Sequence, residues 1–240
     1  MRFDEIARAR RDPALVILEG FHAIKHAVRF GAELLGVWTA DPDEVAALVA
    51  RLAPDIALAP TVVEAAELAK VVPRAQVVAV ARHPVQLDPD GIVAQAGPAP
   101  VILLEEPRHL GNLGACVRVA AAAGAAGVIT TGVQDPWHPD ALRGSAGLHF
   151  ALPVARSRVI RTGDRPLIAL DPEGEALAVV PERAILAFGT ERDGLSDDLL
   201  ARADARLALP MRAGVSSLNL ATAVSGVLFA LQALTAPRAR

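Results

Sequence analysis

The stretch "VILLEEPRHLGNLGACVRVAAAAGAAGVITTG", residues 101–132, decides the fold. Its two ends, VILLEEP and GVITTG, carry short, continuously apolar runs, which predict strands buried on both faces. Between them, NLGACVRVAAAAG reads as an alanine-rich helix closed by glycine. Buried strands separated by helices predict a parallel sheet covered on both sides.

The same alternation continues toward the carboxyl end. "LIALDP", "AILAFGTE" and "ARLALPM" read as strands, and "SDDLLARA" as a helix capped by Ser196. "DPWHPDALRGSAG" reads as an irregular loop or short helix. The run Leu218–Leu234 has no charge, yet it is shorter than the ~20 apolar residues of a membrane span. It also carries Asn219, Thr222, Ser225 and Gln232, so it reads as a buried helix of a soluble core. Toward the amino end, "ALVILEG", "LLGVWTA" and "AQVVAVARHP" predict strands. "FHAIKHAVRFG", "DPDEVAALVARLA" and "TVVEAAELAK" predict helices, the second with Asp41 as cap and Pro42 at its first position. Residues 84–100, rich in Pro, Gly and Asp, read as a connection. The expected organisation is an α/β domain over 1–85, a linker over 86–99 and a second α/β domain over 100–240.

Composition narrows the classes. The 240 residues are 52% hydrophobic and 21% charged, which excludes a disordered chain. The formal charge of −3 advertises no polyanion partner, so nucleic-acid contacts must come from local patches. Lys25 and Lys70 are the only lysines; every other basic residue is arginine, the better phosphate ligand. Cys116 stands alone, so neither a disulfide framework nor a cysteine zinc site forms within one chain. The first twenty residues lack the apolar core of a signal peptide, and the expected location is the cytoplasm. His22 and His26 lie four apart without the glutamate of H-E-x-x-H, so they read as a helix face, and no metal is expected.

In open parallel sheets, ligands bind beyond the carboxyl ends of strands. Three loops fall there. "EEPRHLGNLGACVRVA" (105–120) lacks the G-x-G-x-x-G of a dinucleotide site. Its Arg118, on an apolar helix, reads by itself as a solvated side chain. "FGTERDGLS" (188–196) places Glu191 between Gly189 and Gly194, a turn leading into a capped helix. "LPMRAGVSSLNLATA" (209–223) opens the last helix, with Ser216 or Ser217 expected as its cap and Asn219 in its first turn. Clusters of arginine over 7–11 and over 155–165 (Arg156, Arg158, Arg161, Arg165) are candidate phosphate contacts or solvated faces. With 3% aromatic residues and no tyrosine, a base-stacking sheet is not expected.

Together, in this order, the three loops resemble the three motifs of the SpoU (TrmH-like) family of SPOUT RNA methyltransferases. "NLGACVR" is similar to its first motif, "FGTERDGLS" to its second and "LPMRAGVSSLNLATA" to its third; "DALRGSAGLHFALPV" is similar to the connecting segment. The likeness covers residues from about 100 to 234. Through "VILEGFHAIKHAV" and its layout, the first half is similar to the family's small ribosomal-protein-like RNA-binding domain.

The resemblance implies transfer of a methyl group from S-adenosylmethionine to a ribose 2′-hydroxyl of ribosomal or transfer RNA. It implies a trefoil knot in the carboxyl-terminal domain and a homodimer with sites at its interface, with no membrane or DNA partner. By the same resemblance, Arg118, Asn112, Glu191, Ser217 and Asn219 are the catalytic set. Gly189, Leu209, Leu218, Thr130, Pro210 and Met211 would hold the cofactor, largely through backbone. A guanidinium is a poor base, so Arg118 is expected to hold phosphate and stabilise the developing alkoxide. Rival readings are a catalytically silent RNA-binding protein on the same scaffold and a nucleotide-dependent oxidoreductase, the latter disfavoured by the missing glycine motif.

Overall fold

The computed structural model describes residues 2–73, 75–177, 180–190 and 193–235. Its elements in chain order are α1 (Ile6–Ala9), β1 (Leu15–Glu19), α2 (Phe21–Arg29), β2 (Leu34–Thr39), α3 (Pro42–Leu52), β3 (Thr61–Val62), α4 (Ala65–Val71) and β4 (Val77–Arg82). There follow α5 (Pro89–Ala94), β5 (Val101–Leu104), α6 (Leu110–Ala122), β6 (Gly127–Thr130), α7 (Pro139–Gly144), β7 (Val154–Arg156) and β8 (Leu167–Ala176). The last described elements are β9 (Ile185–Phe188), α8 (Asp197–Arg202), β10 (Ala205–Ala208) and α9 (Leu220–Thr235). Among the described residues, no helix is long and apolar enough to cross a membrane.

The chain divides into two compact units. The first holds residues up to Val85 together with Trp137–Ala151. Its sheet has the order β1-β4-β2-β3, with β4 antiparallel to both β1 and β2. Asp41 caps α3 by accepting from the Glu44 amide at 2.9 Å, as its sequence position suggests. The segment 137–151 lies in the second domain by sequence order, yet its partners belong to the first unit. Leu142 is buried among Leu18, Ile24 and Val77. The Trp137 ring meets the rings of His83, His149 and Phe150. The Ala146 carbonyl lies 2.7 Å from His26 Nδ1. Apolar residues in a short, irregular segment carry no address, so sequence order alone assigned them to the wrong neighbours.

The second unit holds residues 86–136 and those from Leu152 onward. Its sheet has the order β10-β8-β9-β5-β6-β7, and every pairing in it is parallel. β5 and β9, fully buried, sit at its centre. Each buried Val, Leu or Ile contributes about 1.5–3 kcal/mol of apolar transfer, which explains why these strands show no polar alternation.

Two expectations need correcting here. The supposed linker 86–99 contains α5. Asp88 caps it, accepting from the Gly91 amide at 2.7 Å, and Pro89 opens it. Ile92 and Val93 are buried in the core of the second unit. What read as connecting composition is a cap followed by a helix-starting proline. Arg165 was a candidate phosphate ligand, but it is only 3% exposed. Its guanidinium donates to the carbonyls of Val93, Gln95, Ala99 and Arg183 at 2.7–3.0 Å. Burial pushes its pKa below the ordinary arginine value. It fastens the α5 segment to the sheet and cannot meet RNA.

Candidate functional site

Because all strands of the second sheet run the same way, their carboxyl ends share one edge. A cavity of about 580 Å³ opens there, walled by the middle of β8, by residues at or after the ends of β9 and β10 and by the start of α9. Its size falls within the range of small-molecule sites. Leu170, Phe188, Leu209, Met211, Leu220 and Val227 give it an apolar lining.

Three local features shape the cavity. The first is a break in register. β10 pairs with β8 at Ile168 and Ala169, then jumps to Glu175 and Ala176. The skipped residues bow away from β10, and Leu170, Asp171, Pro172 and Glu173 line the cavity. Gly174 makes the jump possible: a Cβ there would lie 2.6 Å from the Arg206 backbone. The second is the turn after β9. Thr190 and Gly194 bridge through backbone hydrogen bonds of 2.9 and 3.3 Å. Gly189 packs so closely beneath them that a Cβ would lie 2.0 Å from the Gly194 carbonyl carbon. Glu105, at the end of β5, accepts from both the amide and the hydroxyl of Ser196 at 2.7 Å and thereby pins the far end of this turn. The third is the loop 209–219, which brings Ser216, Ser217 and Leu218 onto the wall.

The start of α9 corrects the capping expectation. Neither serine caps the helix. Asn219 does: its Oδ1 accepts from the amides of Ala221 and Thr222 at 3.0 and 3.3 Å. Its Nδ2 donates to Asn112 Oδ1 on α6 at 3.1 Å. One asparagine therefore caps α9 and ties the third loop to the first, which leaves both serines facing the cavity. Replacing Asn219 with alanine should cost about 1 kcal/mol of cap stability and lower the Tm by about 2–4 °C. Asn219→Asp should keep the Tm near the wild-type value, because aspartate also caps, while losing the donor to Asn112. Thermal melts of both variants check this; equal losses would mean the cap is not the stabilising contact.

The candidate residues thus fall into groups. Gly189, Leu209, Met211, Ser217 and Leu218 line the cavity. Asn112 and Asn219 are bonded to each other beside it. Pro210 is absent from the wall. Thr130, at the end of β6, is buried, its hydroxyl has no partner among the described residues, and it too is absent from the wall. Glu191 lies outside the described residues. Arg118 is exposed on α6. It follows Asn112 by six residues, about 9 Å along the axis and about 120° around it, so within one chain it does not share the Asn112 face.

The arginines of this unit separate by partner. Arg108, Arg161, Arg183, Arg202 and Arg206 are engaged by carboxylates. Arg156 donates to the Val133 carbonyl at 2.9 Å. Arg118, Arg158 and Arg212 are exposed and have no hydrogen bond or ion pair among the described residues. Among the described residues, no cluster suited to a metal ion occurs. Sequence reading missed Asp171, Thr190 and Asp193 on the cavity wall, and it offers Ser216 only as the alternative to Ser217. The only advance signal for Asp171 was its place in "LDPEG" after an apolar strand.

Comparison with known proteins agrees with this geometry. Residues 99–229 match the SpoU rRNA methylase family, and the chain belongs to that family. It is 33% identical over 165 residues to an uncharacterised tRNA/rRNA methyltransferase of Synechocystis, a match spanning 60% of each chain. A 23S rRNA (adenosine(1067)-2′-O)-methyltransferase of Streptomyces azureus is 27% identical over 232 residues, covering 90% of this chain and 85% of that one. Among solved structures, an AdoMet-bound rRNA methyltransferase from Sinorhizobium meliloti superposes with a TM-score of 0.73 at 25% identity, over 96% of this chain and 92% of that one.

Proposed function

We propose that the protein is an S-adenosylmethionine-dependent methyltransferase acting on a ribose 2′-hydroxyl of RNA, with ribosomal RNA the favoured substrate over transfer RNA. The observation that carries this is the cavity built from the second and third motif loops, with Gly189 packed against Gly194 on its wall and the Asn112–Asn219 bond at its side. Family membership and the named activities of the relatives support it.

The residues fit the cofactor. Apolar walls suit an adenine ring and a methionine chain, and the glycine-tight turn lets backbone groups approach closely. Gly189, Leu209, Met211 and Leu218 hold it, with Pro210 shaping the loop and Thr130 lying deeper in the sheet. Bound there, it supplies a methyl group already activated on a sulfonium, so no metal is called for.

The chain's own task is to place and prepare the nucleophile. A ribose hydroxyl is weakly acidic and must be held in line with the methyl group. Ser217 donates a hydroxyl to RNA, and Asn112 with Asn219 fixes the loops that present it. Arg118 pairs with phosphate and stabilises charge growing on the 2′-oxygen, and Glu191 orients it. Arg158 and Arg212, unpaired among the described residues, are further phosphate ligands. The 2′-hydroxyl exists only in RNA, so DNA is not a substrate.

This reading includes a homodimer that completes the site and brings Arg118 to the substrate, and a trefoil-knotted carboxyl segment. Phe229 and Leu234 on α9 are 45% and 60% exposed, as a helix awaiting a partner would be. It also includes residues 1–85, the larger part of the first unit, as the RNA-recognition domain, and a cytoplasmic location.

Calorimetric titration with AdoMet and, separately, with NAD tests the reading. Saturable binding of AdoMet alone is expected. No AdoMet binding would sink it and favour a silent RNA-binding protein; NAD binding would favour an oxidoreductase.

A further inference from the structure

The cavity wall contains a carboxylate whose placement the backbone grip does not require. Asp171 sits on the stretch of β8 that bows away from β10, and its side chain is only 13% exposed. Two donors hold it, and both use the same oxygen: Arg206 Nη2 at 2.9 Å and the Glu173 amide at 2.9 Å meet Oδ1. Oδ2 has no partner among the described residues, although Asp171 lines the cavity. One oxygen is fully engaged within the chain, so the other is the acceptor left for a molecule that enters the cavity. Arg206 already balances its charge. The remaining oxygen is therefore a strong acceptor in a locally neutral pair, better matched to a hydroxyl than to a second cation.

Resting on the methyltransferase reading, we propose that Asp171 is a cofactor-recognition residue: its Oδ2 accepts a hydrogen bond from the ribose diol of the bound nucleoside. The Glu173 turn and Arg206 are its positioning groups. Glu173 reaches the same guanidinium at 3.6 Å and lies on the cavity rim, 86% exposed, so it is the weaker partner. Recognition of the cofactor is then shared between the backbone around Gly189 and one charged side chain on the neighbouring strand β8. This separates nucleosides bearing an intact diol from deoxynucleosides, a distinction apolar walls cannot make.

The test is a cycle between protein and ligand. Wild type and Asp171→Asn are titrated calorimetrically with AdoMet, 5′-methylthioadenosine, and the 2′-deoxy and 3′-deoxy forms of the latter. Asp171→Asn is expected to weaken AdoMet and methylthioadenosine alike, by about tenfold or more, since a bond to a charged acceptor is lost. Removing the hydroxyl that Oδ2 contacts is expected to cost wild type a similar factor and the variant less than about twofold. Thermal melts identify a variant that fails to fold; Asp171→Glu, which keeps the acceptor, then takes its place and should retain selectivity for the intact diol. Equal deoxy penalties in wild type and variant would overturn the proposal. So would a loss confined to AdoMet, because that would place the amino-acid end at Asp171. If wild type binds AdoMet and Asp171→Asn binds it equally well, only this inference fails. If wild type binds no AdoMet, the methyltransferase reading fails with it.

Discussion

Arg118→Ala is expected to lower methyl transfer to RNA by about 10²–10³-fold, the usual cost of removing one donor to developing charge, while leaving cofactor affinity unchanged. The reasoning starts from its surroundings. Arg118 is exposed on α6 and, like Arg158 and Arg212, has no partner among the described residues, whereas Arg108, Arg161, Arg183, Arg202 and Arg206 are tied to carboxylates. A solvated arginine removed from a stable helix costs little stability, so the Tm should move by no more than about 1–2 °C. Arg118→Lys should recover only a small part of the activity, because an ammonium cannot make the planar two-bond contact of a guanidinium with phosphate. Single-turnover kinetics beside AdoMet calorimetry checks both variants. Normal activity in the lysine variant would mean that a point charge suffices and the bidentate role is wrong.

Gly189→Ala is expected to abolish measurable AdoMet binding. The added Cβ would sit 2.0 Å from the Gly194 carbonyl carbon and 2.2 Å from both the Gly194 oxygen and the Leu195 nitrogen. These are backbone atoms of the turn that walls the cavity, and they cannot rotate aside as a side chain would. Relief requires the turn to open, breaking the Thr190–Gly194 pairing and pulling on Ser196, which Glu105 holds. Overpacking of this kind costs about 1–3 kcal/mol in stability, so the protein should still fold, with a cavity wall out of place. Calorimetry reads the loss and a thermal melt separates it from unfolding. Retained nanomolar-to-micromolar binding would show that the turn is not part of the cofactor site.

Much of this was legible in the residues. Strands of the second sheet announced themselves because burial on both faces leaves only apolar side chains. The three loops stood out because glycine, proline and amide residues follow those strands directly. What escaped was anything fixed by long-range geometry. The helix α5 hid in a stretch whose Asp-Pro pair is equally a turn signal. The capping role of Asn219 could not be told from those of Ser216 and Ser217, since all three residue types cap well. β7, three residues long, leaves no periodic trace. Asp171 was only the tail of the strand read in "LIALDP", and nothing in that stretch announced the register jump of β8 that puts it on a cavity wall. Residues 137–151 gave no sign that they would pack in the first unit, because contacts between residues over a hundred positions apart leave no periodic signal in sequence.

The most direct measurement is chemical. Purified protein is incubated with methyl-labelled AdoMet and ribosomal RNA stripped of protein, and the product is hydrolysed with alkali. A methylated 2′-oxygen cannot assist cleavage of its neighbouring phosphodiester, so label is expected in alkali-resistant dinucleotides. Label released in single nucleotides, or no transfer to ribosomal or transfer RNA by a protein that binds AdoMet, would contradict ribose methylation.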